Sequence, residues 1–434
     1  SSPTHTTTTT TTTDVLIVGG GVVGCALAHQ LNQRVPSLRV GLIEAKSAPK
    51  PTNDDEEEEE EEESNVLLPP NPRSYALSPF SLQLLGLDKH MHTHITAETQ
   101  TPLSSRLGFY DSMQIWEANQ PATLLFRAQD IQADRLGAVV EDCTLVRHLW
   151  KQIKDRCVIL ENSTVQSIVV PQNSYEKAQV TVLTKDGQQQ MGHKKIVMET
   201  NLVVGADGAN SAVRRLMGIP RTQFEYGQSA LTFTVELESE HGGRAFQRFL
   251  ASGPMALLPT FSPKHAIVVW STAAEEAAKW KNHPELVQQL NALFQDGPMH
   301  LQPLFGSVLS NLNLPTPLAN LVYGIDKIIE TAQYGPAIAS QEMGGSPFVP
   351  TPKILKTVSP QFTFPLQTGQ VHKYTDSRLA LVGDAAHTVG TFSLYLVHVV
   401  LIQYTSVLLT LCAFPCADAP HGRSGTQSRL AGCC

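Results

Sequence analysis

The stretch from Asp14 to Ala28, Asp-Val-Leu-Ile-Val-Gly-Gly-Gly-Val-Val-Gly-Cys-Ala-Leu-Ala, limits what this chain can fold into more than any other segment. Val15 to Val18 form the short apolar run of a buried parallel strand. Gly19, Gly21 and Gly24 then give Gly-x-Gly-x-x-Gly, and Val23, Leu27, Ala28 and Leu31 follow at the spacing of one helix face. The first glycine permits a tight turn, the second lets backbone approach a pyrophosphate, and the third lets helix and strand pack closely. The helix N-terminus adds free N–H groups for an anion. A second apolar run, Val40 to Ile43, ends at Glu44, twenty positions after Gly24, where a carboxylate can accept from ribose hydroxyls. Strand, glycines, helix, strand and acid in this order predict a dinucleotide site in an α/β domain.

The chain of 434 residues is long enough for two domains. Its net charge of −8 comes from one place: Asp54 to Glu63 hold ten of the 40 acidic residues, leaving 30 against 32 basic ones. The remainder is near neutral and carries no basic field of the kind nucleic acid requires. Ten successive carboxylates repel one another and predict a solvated, disordered insertion across residues 46–72. Seven scattered cysteines suggest a reducing compartment and no disulfide framework, and none has the spacing of a metal site. Residues 1–13, rich in Thr, read as a disordered leader.

Further along, Arg73-Ser74-Tyr75-Ala76-Leu77-Ser78 leads into a helix from Phe80 to Leu87; an Arg there can reach cofactor phosphates or a ring system. Strand-like patterning runs from Leu107 to Leu125. Val139 to Ile153 reads as a helix, followed by short strands at 158–170, 178–184 and 195–199. Leu202 to Gly205 is an apolar run entering Asp207-Gly208, with a helix capped by Asn210 or Ser211 and reaching Arg214. A β-rich stretch spans 228–272, helix spans 274–294 with a break at Pro284, and 297–360 is rich in Pro and Gly. Leu379 to Val382 is a last apolar strand, ending in Gly383-Asp384, where a carboxylate can meet a ribityl hydroxyl.

Taken together, Gly19/Gly21/Gly24 with Glu44, Asp207-Gly208 ending in Arg214, and Gly383-Asp384 resemble in order and spacing the three fingerprints of class A flavoprotein monooxygenases. Arg73 to Ser78, Met113 to Trp116, Val269 to Thr272 and above all Phe246 to Pro259 resemble the ubiquinone (coenzyme Q) biosynthesis branch of that family. The resemblance implies a Rossmann-like FAD-binding domain, a parallel sheet with helices, plus a mixed-sheet substrate domain like that of para-hydroxybenzoate hydroxylase. The discontinuous first domain would take 14–90, 140–220 and 375–390, and the second 91–139 and 221–374. Gly19, Gly21 and Gly24 would hold the FAD pyrophosphate and Glu44 the adenosine ribose. Arg73 would meet the phosphates or flavin, and Asp207, Gly208, Gly383 and Asp384 the pyrophosphate and ribityl side. No catalytic acid or base is named, because the cofactor supplies the chemistry.

The same resemblance implies hydroxylation of a polyprenylated aromatic substrate with O₂ and NAD(P)H, the latter acting directly or through a redox partner protein. It also implies a mitochondrial place, peripheral on the matrix side of the inner membrane, within a ubiquinone-biosynthesis complex. Another FAD-dependent oxidoreductase of this fold and a non-catalytic nucleotide-binding remnant stay open as alternatives. After Thr388-Val389 the match ends: Gly390-Thr391-Phe392-Ser393 stands where family members have a Gly-x-Gly turn. The atypical tail, residues 391–434, has three readings: a bilayer span, a buried helix, or sequence foreign to the family.

Overall fold

In the computed structural model the structure describes residues 9–49, 69–87, 103–118, 123–171, 173, 175–185, 193–295, 297 and 348–388. The acidic block Asp54–Glu63, most of the Pro/Gly-rich stretch and the tail lie outside the described residues. Among the described residues no helix is long and apolar enough to cross a membrane.

The glycine motif sits at the centre of an eight-stranded sheet. Its parallel strands lie in the order Leu379–Leu381, His193–Gly205, Thr9–Val18, Val40–Ile43 and Cys157–Leu160. The chain thus moves outward from Thr9–Val18 on one side, then returns to its other side with His193–Gly205. This reversal places a crevice beyond the strand ends, between the first strand and His193–Gly205. Strand alternation divides the core. Val15 and Ile17 face helices Val22–Arg34 and Asp142–Ile153, whereas Leu16 and Val18 pack with Val180, Met198, Val213 and Leu381 on the opposite side.

A second, nine-stranded sheet is built around the long strand Arg221–Leu237, which pairs with His265–Ala273, Ile354–Thr357 and Phe362–Val371. Helices Ala274–Trp280 and Leu286–Gln295 cover one face through Phe233, Val268, Trp270, Trp280, Leu290 and Phe294. The break between them falls at Pro284 as expected. A small sheet, Ser74–Leu77, Gly137–Glu141 and Gly108–Tyr110, joins the two larger ones.

Three sequence expectations change. The leader ends earlier than Thr13: Thr9 to Thr13 belong to the first strand and pair in register with Ile196 to Thr200. β-Branched threonines suit a strand, and Thr13 and Thr200 are wholly buried, with the Thr200 hydroxyl donating to the Leu202 carbonyl. The helix expected from Val139 begins only at Asp142, because Gly137–Glu141 is committed to the small sheet. Finally, 195–199 and 202–205 are one strand, His193–Gly205.

Candidate functional site

The three motifs meet at one end of the parallel sheet. Backbone bonds tie the strand ends in series: Glu44 N–H to Leu160 O, Gly19 N–H to Ile43 O, Ala206 N–H to Val18 O, and Val382 N–H to Gly205 O, each at 2.8–2.9 Å. Gly19 has φ +112°, and a Cβ there would stand 2.4 Å from the Ala206 carbonyl oxygen. A Cβ on Gly24 would stand 1.9 Å from the Gly19 carbonyl oxygen. Both glycines are therefore consumed by packing of the loop itself. Gly21 differs: it is the N-cap of Val22–Arg34, no side chain caps it, no acid occupies the first turn, and nothing lies within 4 Å of its missing Cβ. Gly208, at φ +78°, faces open space in the same way.

Glu44 closes the loop from the next strand. Its Oε2 accepts from Gly20 N–H at 2.6 Å and its Oε1 from Lys46 N–H at 2.9 Å. The Gly20 carbonyl in turn accepts from Trp150 Nε1 at 2.9 Å and from the Cys25 thiol at 3.1 Å. Burial, then the Glu44 charge, push the Cys25 thiol far above its ordinary range, so it stays protonated and acts as a small core donor.

Asp207 spends one oxygen on the helix behind it: Oδ2 accepts from Ala212 N–H at 2.6 Å and Val213 N–H at 3.1 Å, while Ser211 supplies the cap. Its Oδ1 is buried with no donor among the described residues. Gly383, at φ +58°, turns against Val23 in the first turn of Val22–Arg34, with 3.1 Å from its missing Cβ to the Val23 side chain. Asp384, next to it, is exposed, yet the protein around it desolvates the carboxyl enough to raise its pKa, with Arg221 opposing.

Two arginines that sequence reasoning left without a role hold these loops together. Arg214, buried, donates from one nitrogen to Ala385 O at 3.1 Å and from the other to Ala209 O at 2.8 Å. Arg221, at the start of the second sheet, donates to Ala209 O at 3.0 Å and to the Thr388 hydroxyl at 2.6 Å. Arg214 carried a signal, since it closes the Asp207 motif; Arg221 and Trp150 carried none.

Arg73 is placed differently. It is largely exposed and pairs with Asp142 at 3.2 Å, on the first turn of Asp142–Ile153. Trp150, which donates to the Gly20 carbonyl, lies eight residues further along that helix, roughly 12 Å by helical rise. A separate polar cleft, lined by Glu238, His241, Arg244, Thr351 and Lys353, includes no residue of the glycine, Asp207 or Gly383 motifs.

Residues 14–67 match the family model described as Lycopene cyclase protein. The mitochondrial ubiquinone biosynthesis monooxygenase COQ6 of Homo sapiens is 30% identical over 290 residues, covering 64% of this chain and 54% of the human protein. Its Caenorhabditis elegans counterpart is 29% identical over 381 residues, covering 85% and 72%. The 3-demethoxyubiquinol 3-hydroxylase of Escherichia coli is 27% identical over 284 residues, covering 64% and 55%. The chain spans about half the length of most curated relatives it matches. Among solved structures, the probable FAD-dependent monooxygenase pqsL of Pseudomonas aeruginosa superposes with a TM-score of 0.57 at 18% identity, covering 92% of this chain and 85% of that one. The p-nitrophenol 4-monooxygenase PnpA of Pseudomonas putida gives 0.53 at 15% identity, covering 88% and 75%. By sequence the chain is similar to the ubiquinone biosynthesis monooxygenases, and it has the fold of these solved enzymes.

Proposed function

We propose that this chain is an FAD-dependent monooxygenase that hydroxylates the aromatic ring of a polyprenylated phenol or benzoate in ubiquinone biosynthesis. The observation that carries the reading is the convergence of the three loops at one end of the parallel sheet, in a chain whose relatives are named ubiquinone biosynthesis monooxygenases. The residues fit the cofactor. Gly21 and Gly208 leave open space where a pyrophosphate approaches, and the uncapped helix N-terminus favours negative charge there. The idle Oδ1 of Asp207 and the Asp384 carboxylate are acceptors for hydroxyl donors.

In this reading Gly19, Gly21 and Gly24 shape the pyrophosphate loop and Glu44 reaches the adenosine ribose. Asp207, Gly208, Gly383 and Asp384 take the pyrophosphate and ribityl side, and Arg73 meets the phosphates or flavin from the small sheet. Bound FAD, reduced by NAD(P)H directly or through a partner protein, supplies the activation of O₂ and the transfer of one oxygen atom to the ring. Arg214 and Arg221 fix the loops, and the second sheet orients the substrate and excludes water. The mitochondrial relatives support a mitochondrial place, and we extend this to the matrix face of the inner membrane and a ubiquinone-biosynthesis complex.

A purified full chain incubated with FAD should retain a flavin absorption band after gel filtration, and it should convert a prenylated phenol to its hydroxylated product under O₂ and reductant. No flavin band overturns the cofactor assignment. A flavin band without product overturns the hydroxylase and leaves a nucleotide-binding protein.

Glu44→Ala should weaken FAD binding by about 1–2 kcal/mol, roughly tenfold. The carboxylate orients Gly20 N–H, and a ribose hydroxyl facing that position would lose its acceptor. A fluorescence titration with unchanged Kd would reduce Glu44 to a brace for Gly20 and Lys46.

A further inference from the structure

The second sheet presents two unlike faces. One carries Trp116, Phe246, Leu257, Val268 and Phe233 and is covered by the two helices. Partners across a ladder share a face, so the other face can be followed strand by strand. Ile115 pairs with Gln247, Gln247 with Ala256, Ala256 with Val269, Val269 with Thr232, and Thr232 with Phe362. This face looks toward the small sheet. Ala245 and Ile267, on the same face, pack with Tyr110 and Val139, and Thr234 donates to the carbonyl of Pro70, just before Arg73.

Within that row one group is out of place. Gln247 is 4% exposed, and its amide oxygen Oε1 is buried with no donor among the described residues. Its row neighbours Ile115, Ala256 and Val269 are apolar and offer none. A buried amide oxygen left unpaired is costly, and native proteins keep such groups where a water or a ligand completes them. Ala245, two positions before it on the same strand, and Ala256, its ladder partner, are small, so no bulky side chain of either stands over the amide.

We infer that Gln247 is a specificity-determining residue whose Oε1 accepts a hydrogen bond from the ring hydroxyl of a phenolic substrate lying on this sheet face. The inference rests on the function proposed above and names the group that recognises the phenol. A neutral acceptor selects a hydroxyl donor and disfavours its methyl ether, which cannot donate. An apolar pocket alone discriminates weakly between such isosteres, whereas a built acceptor discriminates strongly.

The test uses the full chain, with 2-prenylphenol and its methyl ether titrated calorimetrically. The wild-type chain should bind the phenol about tenfold or more tightly than the ether, the worth of one buried hydrogen bond. In Gln247→Leu, near in volume and without an acceptor, the ratio should fall toward one with ether affinity little changed. Gln247→Glu, which keeps an acceptor oxygen, should keep the preference for the phenol. An unchanged ratio in Gln247→Leu, a ratio near one in the wild type, or no binding of the phenol each overturns the inference. The flavin band is recorded on the same samples, so a chain that binds no FAD yet distinguishes phenol from ether refutes the cofactor and leaves Gln247 standing.

Discussion

Gly24→Ala should destabilise the nucleotide-binding sheet by about 3 kcal/mol or more and abolish cofactor retention, while Gly21→Ala should leave stability unchanged and still weaken binding. The two glycines are three residues apart in one motif, but the physics at each differs. A methyl group at position 24 would stand 1.9 Å from the Gly19 carbonyl oxygen and 3.1 Å from the Gly19 carbonyl carbon. These are backbone atoms pinned by the Gly19–Ile43 bond, so no side chain can swing aside. The helix Val22–Arg34 would have to move off the sheet, opening the contacts of Leu27 and Leu31. At position 21 the φ of −76° suits any residue and the added methyl meets nothing within 4 Å. Among the described residues it obstructs nothing, so what it can hinder is a ligand approaching the helix N-terminus. Urea unfolding read beside FAD titration separates the effects. If Gly21→Ala binds FAD like the wild type, no pyrophosphate approaches there. If Gly24→Ala unfolds like the wild type, helix and loop are not packed as described.

The motif residues were legible in the sequence because the interactions that require them are local or repeat a known order. Gly19, Gly21, Gly24 and Glu44 act within one strand–helix–strand unit, and each of Asp207 and Gly383 ends an apolar strand. What holds the three loops to one another was not legible. Arg214 reaches Ala385 across 171 positions and Trp150 reaches Gly20 across 130, and no spacing encodes either bond. Where the reading of elements failed, two patterns competed. Val139 and Val140 satisfy helical and strand periodicity alike, and the pairing with Tyr75 and Ala76 decides for the strand. The Thr run of residues 9–13 looked featureless because its partner, Ile196 to Thr200, lies far along the chain. Gln247 belongs to the same class: alternation alone shows that it shares a face with Ala245, but only the ladder shows which face that is.

Arg106→Leu should cost about 3–5 kcal/mol at neutral pH, and the cost should shrink as the solution is acidified. Glu141 is 3% exposed, at the junction of the small sheet and the helix Asp142–Ile153. Arg106 holds it through two bonds, at 2.6 and 2.9 Å, and stacks over Phe261 at 4.4 Å, while Asn71 N–H and the Thr144 hydroxyl donate to the same carboxylate. Burial raises the Glu141 pKa, but the Arg106 bonds, the Asn71 N–H and the Thr144 hydroxyl outweigh it and hold the group below the usual range. A depressed folded pKa means that this carboxylate stabilises the fold fully above the unfolded value of about 4.3, and the contribution is lost as pH falls through the folded pKa. Without Arg106 the burial effect prevails and the sign reverses: the folded pKa rises above the unfolded one, and protonation relieves the variant. Urea midpoints of wild type and variant should therefore lie far apart at pH 7, draw together as the pH falls toward the unfolded value of about 4.3, and converge only below it. A gap independent of pH would place the cost in the lost Phe261 contact and not in the buried carboxylate.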